Sequence, residues 1–146
     1  MPGKMFFDTN ILVYLIDQEA AFHEQARQAF GRFGRTHELW ISRQVLREYA
    51  VVMSREDLLE QPSGVEEIAA DLSRWQRIFR VADETSTVTQ QFIELMRHHG
   101  LRGKRLHDLN IVATMLAYGI EEILTNNVGD FDTFDEITVH GLVSRE

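Results

Sequence analysis

The sequence predicts a single α/β domain, with helices on both faces of a central, mainly parallel sheet. Short apolar segments that suit buried strands alternate along the chain with segments whose apolar residues recur at helical spacing. This alternation requires crossover connections, which place helices over a parallel sheet. A length of 146 residues and a hydrophobic content of 44% suit one core, so residues 1–146 are predicted to form one domain.

Each element follows from a local pattern of apolar residues and terminators. Helices are predicted where the apolar residues form one stripe, and strands where a short apolar segment stands between turn residues. Gly119 suits a left-handed cap after the last helix, and the segment Glu60–Gly64, "EQPSG", predicts a loop. The predicted strands are Met5–Asp8, Glu38–Ser42, Arg80–Asp83, Glu122–Thr125 and Ile137–Val143. The predicted helices are Asn10–Asp17, Phe22–Phe33, Arg43 to about Ser54, Val65–Phe79, Thr87–His98 and His107–Tyr118.

Composition excludes several classes of function. The chain has no cysteine, which rules out disulfides, thiolate zinc sites and a cysteine nucleophile, and suits a reducing cytosol. The longest apolar run, Ile11–Ile16, is too short to span a bilayer, and the first residues lack the layout of a signal peptide. We therefore expect a cytoplasmic protein without a membrane segment. A net charge of −8 argues against binding nucleic acid through a basic surface, but not against a nuclease that uses metal ions.

Three carboxylates stand where a metal site in such a fold would need them. Asp8 ends the first predicted strand, and α/β sheets bind ligands beyond the carboxyl ends of their strands. Glu48 lies at the margin of the apolar stripe of its helix, and Asp108 points into the apolar face of another. Converging carboxylates repel one another unless a cation neutralises them. Oxygen ligands without cysteine or paired histidine suit Mg²⁺ or Mn²⁺ rather than zinc.

Each of these acids also has an ordinary alternative. Asp8 and Asp108 could be helix caps, since aspartate is favoured there. Glu48 could be a solvated residue paired with Arg47 or Arg55. The acids of the segment 123–136, "ILTNNVGDFDTFDE", mostly suit turn chemistry.

Four segments together resemble the PIN-domain ribonucleases, in particular the VapC-like toxins of bacterial toxin–antitoxin pairs. The segments are "FFDTNILVY", "SRQVLREY", "LRGKRLHDLNIVATMLAYGIEEILTNN" and "TNNVGDF", and they match in order over essentially the whole chain. The resemblance implies an α/β/α sandwich with Asp8, Glu48 and Asp108 as acids of the active site. Many relatives carry a further aspartate where this chain has Asn127, whereas others rely on the aspartate before phenylalanine, here Asp130. We take Asp130 as the fourth acid.

The resemblance implies a Mg²⁺- or Mn²⁺-dependent endoribonuclease that cleaves single-stranded RNA. Asp8 and Asp108 are expected to bind the metal directly, and Glu48 and Asp130 to bind through water or to complete a second site. Thr9 is expected to orient a metal water or a carboxylate, with Asn127 as an auxiliary residue.

Partners follow from the same resemblance. A cognate antitoxin is expected to insert an arginine or lysine among the acids, and its apolar residues to lie near helices Phe22–Phe33 and Arg43–Ser54. The resemblance also suggests a homodimer. The basic residues Arg102, Lys104 and Arg105 are either RNA phosphate contacts or a solvated loop.

Other readings of the chain remain. A stand-alone PIN nuclease without a toxin role, or a non-catalytic PIN-like binding module, would share these motifs. An aspartyl-phosphate phosphatase would need a second aspartate where Asn10 stands, and a phosphate-receiver module would need a late lysine, which is lacking after Lys104. Asn10 is expected to cap the following helix. His98 and His99 are expected at a helix end, where imidazolium suits the helix dipole.

Overall fold

The computed structural model describes residues 2–55 and 63–143. The strands are β1 (Gly3–Phe7), β2 (His37–Ser42), β3 (Arg80–Ala82), β4 (Glu122–Leu124) and β5 (Thr138–His140). The helices are α1 (Thr9–Ile16), α2 (His23–Gly34), α3 (Arg43–Ser54), α4 (Val65–Ile78), α5 (Ser86–His99), α6 (Arg105–Ala117) and α7 (Val128–Phe131).

One five-stranded sheet in the order β3-β2-β1-β4-β5 organises the chain, and every pair of neighbouring strands is parallel. The central strand β1 buries Met5, Phe6 and Phe7 completely, as expected for a strand covered on both faces. The predicted α/β fold with a parallel sheet is therefore confirmed.

The direction of the crossovers explains how both faces are covered. From β1 to β2 to β3 the chain moves toward one edge of the sheet, and from β3 to β4 it returns past β1 toward the other edge. Right-handed crossovers in opposite directions place their helices on opposite faces. The helix packing agrees with this division between two faces. Helix α1 contacts α2 and α3, and α3 contacts α4, whereas α5 packs along α6.

The reversal of direction creates a crevice at the carboxyl end of β1. The Asp8 backbone N–H, just beyond this strand, donates to the Leu124 carbonyl of β4 at 3.0 Å. In open parallel sheets this switch point is the usual place for a ligand. Asp8 and Thr125 follow the two adjacent strands at this point.

Most predicted boundaries differ from the structure by one or two residues. Asp8 is the N-cap of α1 rather than the end of a strand, so the expectation that Asn10 caps this helix is wrong. Gly119 has a φ value of 69°, which confirms the predicted left-handed cap, and Gly100 ends α5 in the same way with a φ value of 64°. The last strand is much shorter than the predicted Ile137–Val143.

Two other segments differ from the prediction or lie outside the description. The sequence predicts no helix at the single turn α7, because "VGDF" contains glycine and is too short to show a helical period. Of the predicted loop Glu60–Gly64, residues 60–62 lie outside the described residues, and Ser63 and Gly64 precede α4 without regular structure. Among the described helices, none combines the length and the apolar character needed to cross a membrane.

Candidate metal centre

Asp8 is the most deeply buried acid of the crevice, with 6% of its surface exposed. Its Oδ1 accepts from the Thr9 backbone N–H at 2.8 Å, and its Oδ2 accepts from the Thr125 hydroxyl at 2.7 Å. The pKa of Asp8 is raised from 3.8 to about 6: burial is the largest cause, the two hydrogen bonds oppose the rise, and the charges of Glu48 and Asp108 add to it. Asp8 is therefore a helix cap and also a charge that the fold alone leaves poorly compensated.

Glu48 is held from both sides in the same crevice. The Thr9 hydroxyl donates to Oε2 at 2.8 Å, and Gln44 Nε2 donates to Oε1 at 2.8 Å. Arg47, one of the partners considered for Glu48, instead pairs with Glu84 at 3.3 Å. The interpretation of Glu48 as a solvated partner of Arg47 is therefore wrong.

Gln44 connects the helix of Glu48 to the helix of Asp108. Its Nε2 also donates to the His107 carbonyl at 3.0 Å, and its Oε1 accepts from Asn110 Nδ2 at 2.7 Å. Only 5% of Gln44 is exposed, and its amide uses both its donor and its acceptor side. Sequence reasoning missed this residue, because only its spacing of four residues from Glu48 is visible without the fold.

Asp108 is the fourth residue of α6 and does not cap it, because Lys104 occupies the N-cap position. Burial raises the pKa of Asp108, followed by the charge of Asp130, while Arg105 opposes the rise. The Arg105 Nε lies 3.8 Å from Asp108 Oδ2, and its NH2 donates to the Asp130 carbonyl at 3.1 Å. Arg105 therefore faces the acids, whereas Arg102 and Lys104 are exposed to solvent.

The two residues considered for the fourth acidic position differ in placement. The Asn127 N–H donates to the Thr125 hydroxyl at 3.0 Å, and Asn127 lines the crevice. Asp130 is exposed on α7 and does not line the crevice, but its charge acts on Asp108.

The crevice is an open cleft of about 680 Å³. Its floor carries the acids and their hydrogen-bond partners, and one wall is apolar, with side chains from α1 and α3. The lining residues are Asp8, Thr9, Asn10, Val13, Tyr14, Gln44, Arg47, Glu48, Val51, Val52, His107, Asp108, Ile111 and Asn127.

The donors of this cleft suit a hard divalent cation. Three carboxylates, from the N-cap of α1, from α3 and from α6, line it. The charges of Glu48 and Asp108 help to raise the pKa of Asp8, and those of Asp130 and Glu48 help to raise the pKa of Asp108. A cation would remove that repulsion, and oxygen ligands are those that Mg²⁺ and Mn²⁺ prefer. Among the described residues, only one group of three histidines or acids has its ligand atoms all within 4.8 Å of one another, and it lies elsewhere in the molecule.

Comparisons with known proteins agree with this architecture. The family model described as "PIN domain" matches residues 5–137. No curated protein sequence gives a significant match. Structural similarity extends over nearly the whole chain at low sequence identity.

Three solved structures illustrate this similarity. A chain of VapBC2 from Rickettsia felis, bound to a DNA fragment from its promoter, has a TM-score of 0.69 and 20% identity, covering 94% of this chain and 97% of that one. VapC20 from Mycobacterium tuberculosis, described as a Sarcin-Ricin loop cleaving toxin, has a TM-score of 0.68 and 21% identity, covering 92% and 98%. A chain of DNA-bound VapBC from Salmonella typhimurium has a TM-score of 0.66 and 21% identity, covering 97% and 99%.

The family match spans most of the chain and includes all four acids that the sequence singled out. Together with the parallel sheet and the acidic crevice beyond its central strand, it shows that this chain belongs to the PIN domain family.

Proposed function

We propose that this protein is a metal-dependent endoribonuclease that cleaves single-stranded RNA and acts as the toxin of a toxin–antitoxin pair. The observation that carries the proposal is the cleft in which Asp8, Glu48 and Asp108 converge from three helices. The pKa values of Asp8 and Asp108 are raised by burial and by neighbouring acids, and such an arrangement is costly unless the carboxylates bind a cation.

Each acid has a role in holding the metal. Asp8 and Asp108 bind Mg²⁺ or Mn²⁺ directly, while Glu48 and Asp130 bind through water or complete a second site. When bound, the metal supplies a Lewis acid for the phosphoryl oxygen and lowers the pKa of bound water. Thr9 and Gln44 fix both oxygens of Glu48, so this carboxylate keeps its place while the metal binds.

RNA is the proposed substrate for two reasons. The similar VapC20 structure is described as that of a toxin that cleaves the Sarcin-Ricin loop. The rim of the cleft also carries Arg47 and His107, and the exposed Arg102 and Lys104 precede the helix of Asp108. In a chain with a net charge of −8, the arginine and lysine side chains of this region offer contacts for a phosphate backbone.

Two observations support the toxin role: the complexes found among the similar structures, and the shape of the cleft. Two of those structures are VapBC complexes. Beside the acids lies an apolar wall formed by Val13 and Tyr14 of α1 and Val51 and Val52 of α3. This wall suits an antitoxin segment, although it uses α1 where the resemblance predicts the helix Phe22–Phe33, which the structure shows as α2. A homodimer is part of the proposal through the family resemblance.

The nuclease proposal is tested by Asp108→Asn with a single-stranded RNA substrate and Mg²⁺. We expect cleavage to be lost while circular dichroism stays unchanged, because Asp108 is partly exposed and its loss removes repulsion.

Asp130→Ala should weaken cleavage and metal activation more than Asn127→Ala. Near-normal activity of Asp108→Asn would contradict the metal assignment, and the reverse order of the other two variants would identify Asn127 as the fourth position. A wild-type protein that cleaves no RNA with any divalent metal would favour a binding module.

A further inference from the structure

A second group of metal-ligating side chains lies outside the acidic cleft. It consists of His98 and His99 at the end of α5 and Glu136 just before β5. One ligand atom from each lies within 4.8 Å of the other two, and among the described residues this is the only such group of histidines and acids. None of the three lines the cleft of Asp8.

Two of the three ligands are already held in place. His99 Nε2 lies 2.7 Å from Glu136 Oε1 and 3.2 Å from its Oε2. The His99 ring packs edge-on against Phe134 with 4.9 Å between centroids, and 12% of the side chain is exposed. Glu136 is 25% exposed, so the pair opens to solvent on one side.

His98 completes the group from the solvent side. Its ring lies 4.8 Å from that of His99, almost perpendicular to it at 86°. Helix α5 ends here at Gly100, whose φ of 64° turns the chain away, so the two histidines occupy its last turn. An exposed side chain can rotate toward a ligand at little cost, whereas a packed one cannot.

The chemistry of this group differs from that of the cleft. Two imidazoles and one carboxylate suit Zn²⁺ and related transition metals, while Mg²⁺ prefers oxygen ligands alone. Zinc bonds of about 2.1 Å in a tetrahedral site place ligand atoms roughly 3.4 Å apart. The His99–Glu136 pair is tighter than this and the group as a whole is looser, so binding requires only small movements of side chains.

We propose that His98, His99 and Glu136 form a Zn²⁺-type site that ties the end of α5 to the segment before β5. Three protein ligands leave a fourth position for water. Zn²⁺ would bind His99 Nε2 and a carboxylate oxygen of Glu136 in place of their hydrogen bond, with the proton of the neutral imidazole on Nδ1, and would add His98 to the pair. Because α5 leads through Gly100–Lys104 into the helix of Asp108, the site stabilises the connection that precedes the acidic cleft.

The site must be tested without the acidic cleft competing for metal. We therefore use the double variant Asp8→Asn/Asp108→Asn and titrate it with Zn²⁺ and with Co²⁺, whose visible absorption is stronger in tetrahedral than in octahedral sites. We expect one bound equivalent, a tetrahedral Co²⁺ spectrum and a higher unfolding temperature with Zn²⁺, since a ligand that binds only the folded state stabilises it.

Single changes then assign the ligands. His98→Ala and Glu136→Gln, added to the double variant, should each lower the affinity at least about tenfold, since even loss of an outer-shell partner typically costs this much. His98 is exposed, so its removal should leave the fold intact. The matched control is His140→Ala, which breaks another histidine–glutamate pair, 3.0 Å from Glu122, and should leave the affinity unchanged.

Two results would overturn the site. One is the absence of Zn²⁺ binding in the Asp8→Asn/Asp108→Asn protein at concentrations that saturate the wild type. The other is a Zn²⁺ affinity that stays unchanged when His98→Ala or Glu136→Gln is added to the double variant. Neither result would bear on the nuclease proposal, which depends on Mg²⁺ and the acids of the cleft.

Discussion

At the scale of single residues, Asp8 shows how one side chain combines a structural and a chemical role. It caps α1 through the Thr9 N–H and accepts from Thr125, yet its pKa rises to about 6 because burial outweighs both bonds. A cap on the surface would have a lowered pKa. The raised value means that the ionised form of Asp8 destabilises the metal-free fold.

This imbalance predicts that Asp8→Asn stabilises the metal-free protein at neutral and alkaline pH. The pKa of Asp8 lies above its ordinary value, so its favourable contribution is complete below pH 3.8 and is lost as the pH rises through about 6. A rise from 3.8 to about 6 corresponds to roughly 3 kcal/mol. The asparagine side chain has one acceptor oxygen fewer than the carboxylate, and we expect this loss to cost about 1 kcal/mol. We therefore expect a net gain of about 1–2 kcal/mol at pH 8.

Urea unfolding with a chelator at pH 8 and pH 4 measures this effect. The gain should be present at pH 8 and absent at pH 4, where wild-type Asp8 is already protonated. Asp135→Asn, the same change at an exposed position, should stay within about 0.5 kcal/mol at both pH values. A loss of stability in Asp8→Asn at pH 8 would show that the carboxylate is well compensated in the fold.

The sequence contains enough information to find Asp8, Glu48 and Asp108 but not their partners. Each acid breaks an apolar pattern in its own segment, which is a local signal. Gln44 contacts the His107 carbonyl 63 positions away and Thr125 contacts Asp8 117 positions away, so the sequence around them does not show these contacts; the spacing of four residues between Gln44 and Glu48 is the one local signal. The alternation of strands and helices predicts the sheet, whereas one turn such as α7 is too short to carry a period.

At the scale of elements, the relation between α3 and α6 sets the separation of Glu48 and Asp108. Gln44 of α3 donates both to Glu48 on its own helix and to the His107 carbonyl, one residue before Asp108. Asn110 of α6 donates back to Gln44 at 2.7 Å. The buried Gln44 amide therefore fixes the position of Glu48 on α3 relative to α6, the helix that carries Asp108.

This arrangement predicts that Gln44→Leu weakens metal activation more than substrate binding. Leucine keeps most of the volume but removes the hydrogen bonds of Gln44 to Glu48, the His107 carbonyl and Asn110. Glu48 is then held by the Thr9 hydroxyl alone, so its position is less fixed. We expect kcat to fall and the Mg²⁺ concentration for half-maximal activity to rise, with KM for RNA nearly unchanged.

The control for this change is Gln28→Leu on α2, where the glutamine is exposed. Its kinetics and metal dependence should match the wild type. If Gln44→Leu lowers only the unfolding temperature and leaves the Mg²⁺ dependence unchanged, the amide serves stability alone and does not position Glu48.

At the scale of the whole molecule, the reversal of strand order gathers residues from distant parts of the chain. Asp8 follows β1, Thr125 follows β4, and the helices after β2 and before β4 bring Glu48 and Asp108. The cleft that results joins an acidic floor to an apolar wall of α1 and α3. Val51 on this wall is 55% exposed, so an aliphatic side chain beside the acids is open to a partner.

This combination predicts the chemistry of an inhibitory partner. An antitoxin segment that fits both parts of the cleft needs apolar residues that pack against Val13, Val51 and Val52, and a cationic side chain that pairs with the acids. Arginine is favoured over lysine because its planar fork can bridge two carboxylates. Ordering a flexible segment costs entropy, so the apolar contacts must supply much of the affinity, while the cation blocks the metal position.

Co-expression with a small adjacent reading frame, followed by pull-down and a nuclease assay, tests this prediction. We expect a stable complex without RNA cleavage. Val51→Asp should weaken the complex, because it places a charge on the apolar wall. The matched control is Val65→Asp on α4, which is 80% exposed and lies outside the cleft. A complex that cleaves RNA at the full rate would exclude inhibition through the cleft, and equal effects of the two valine changes would place the partner on another surface.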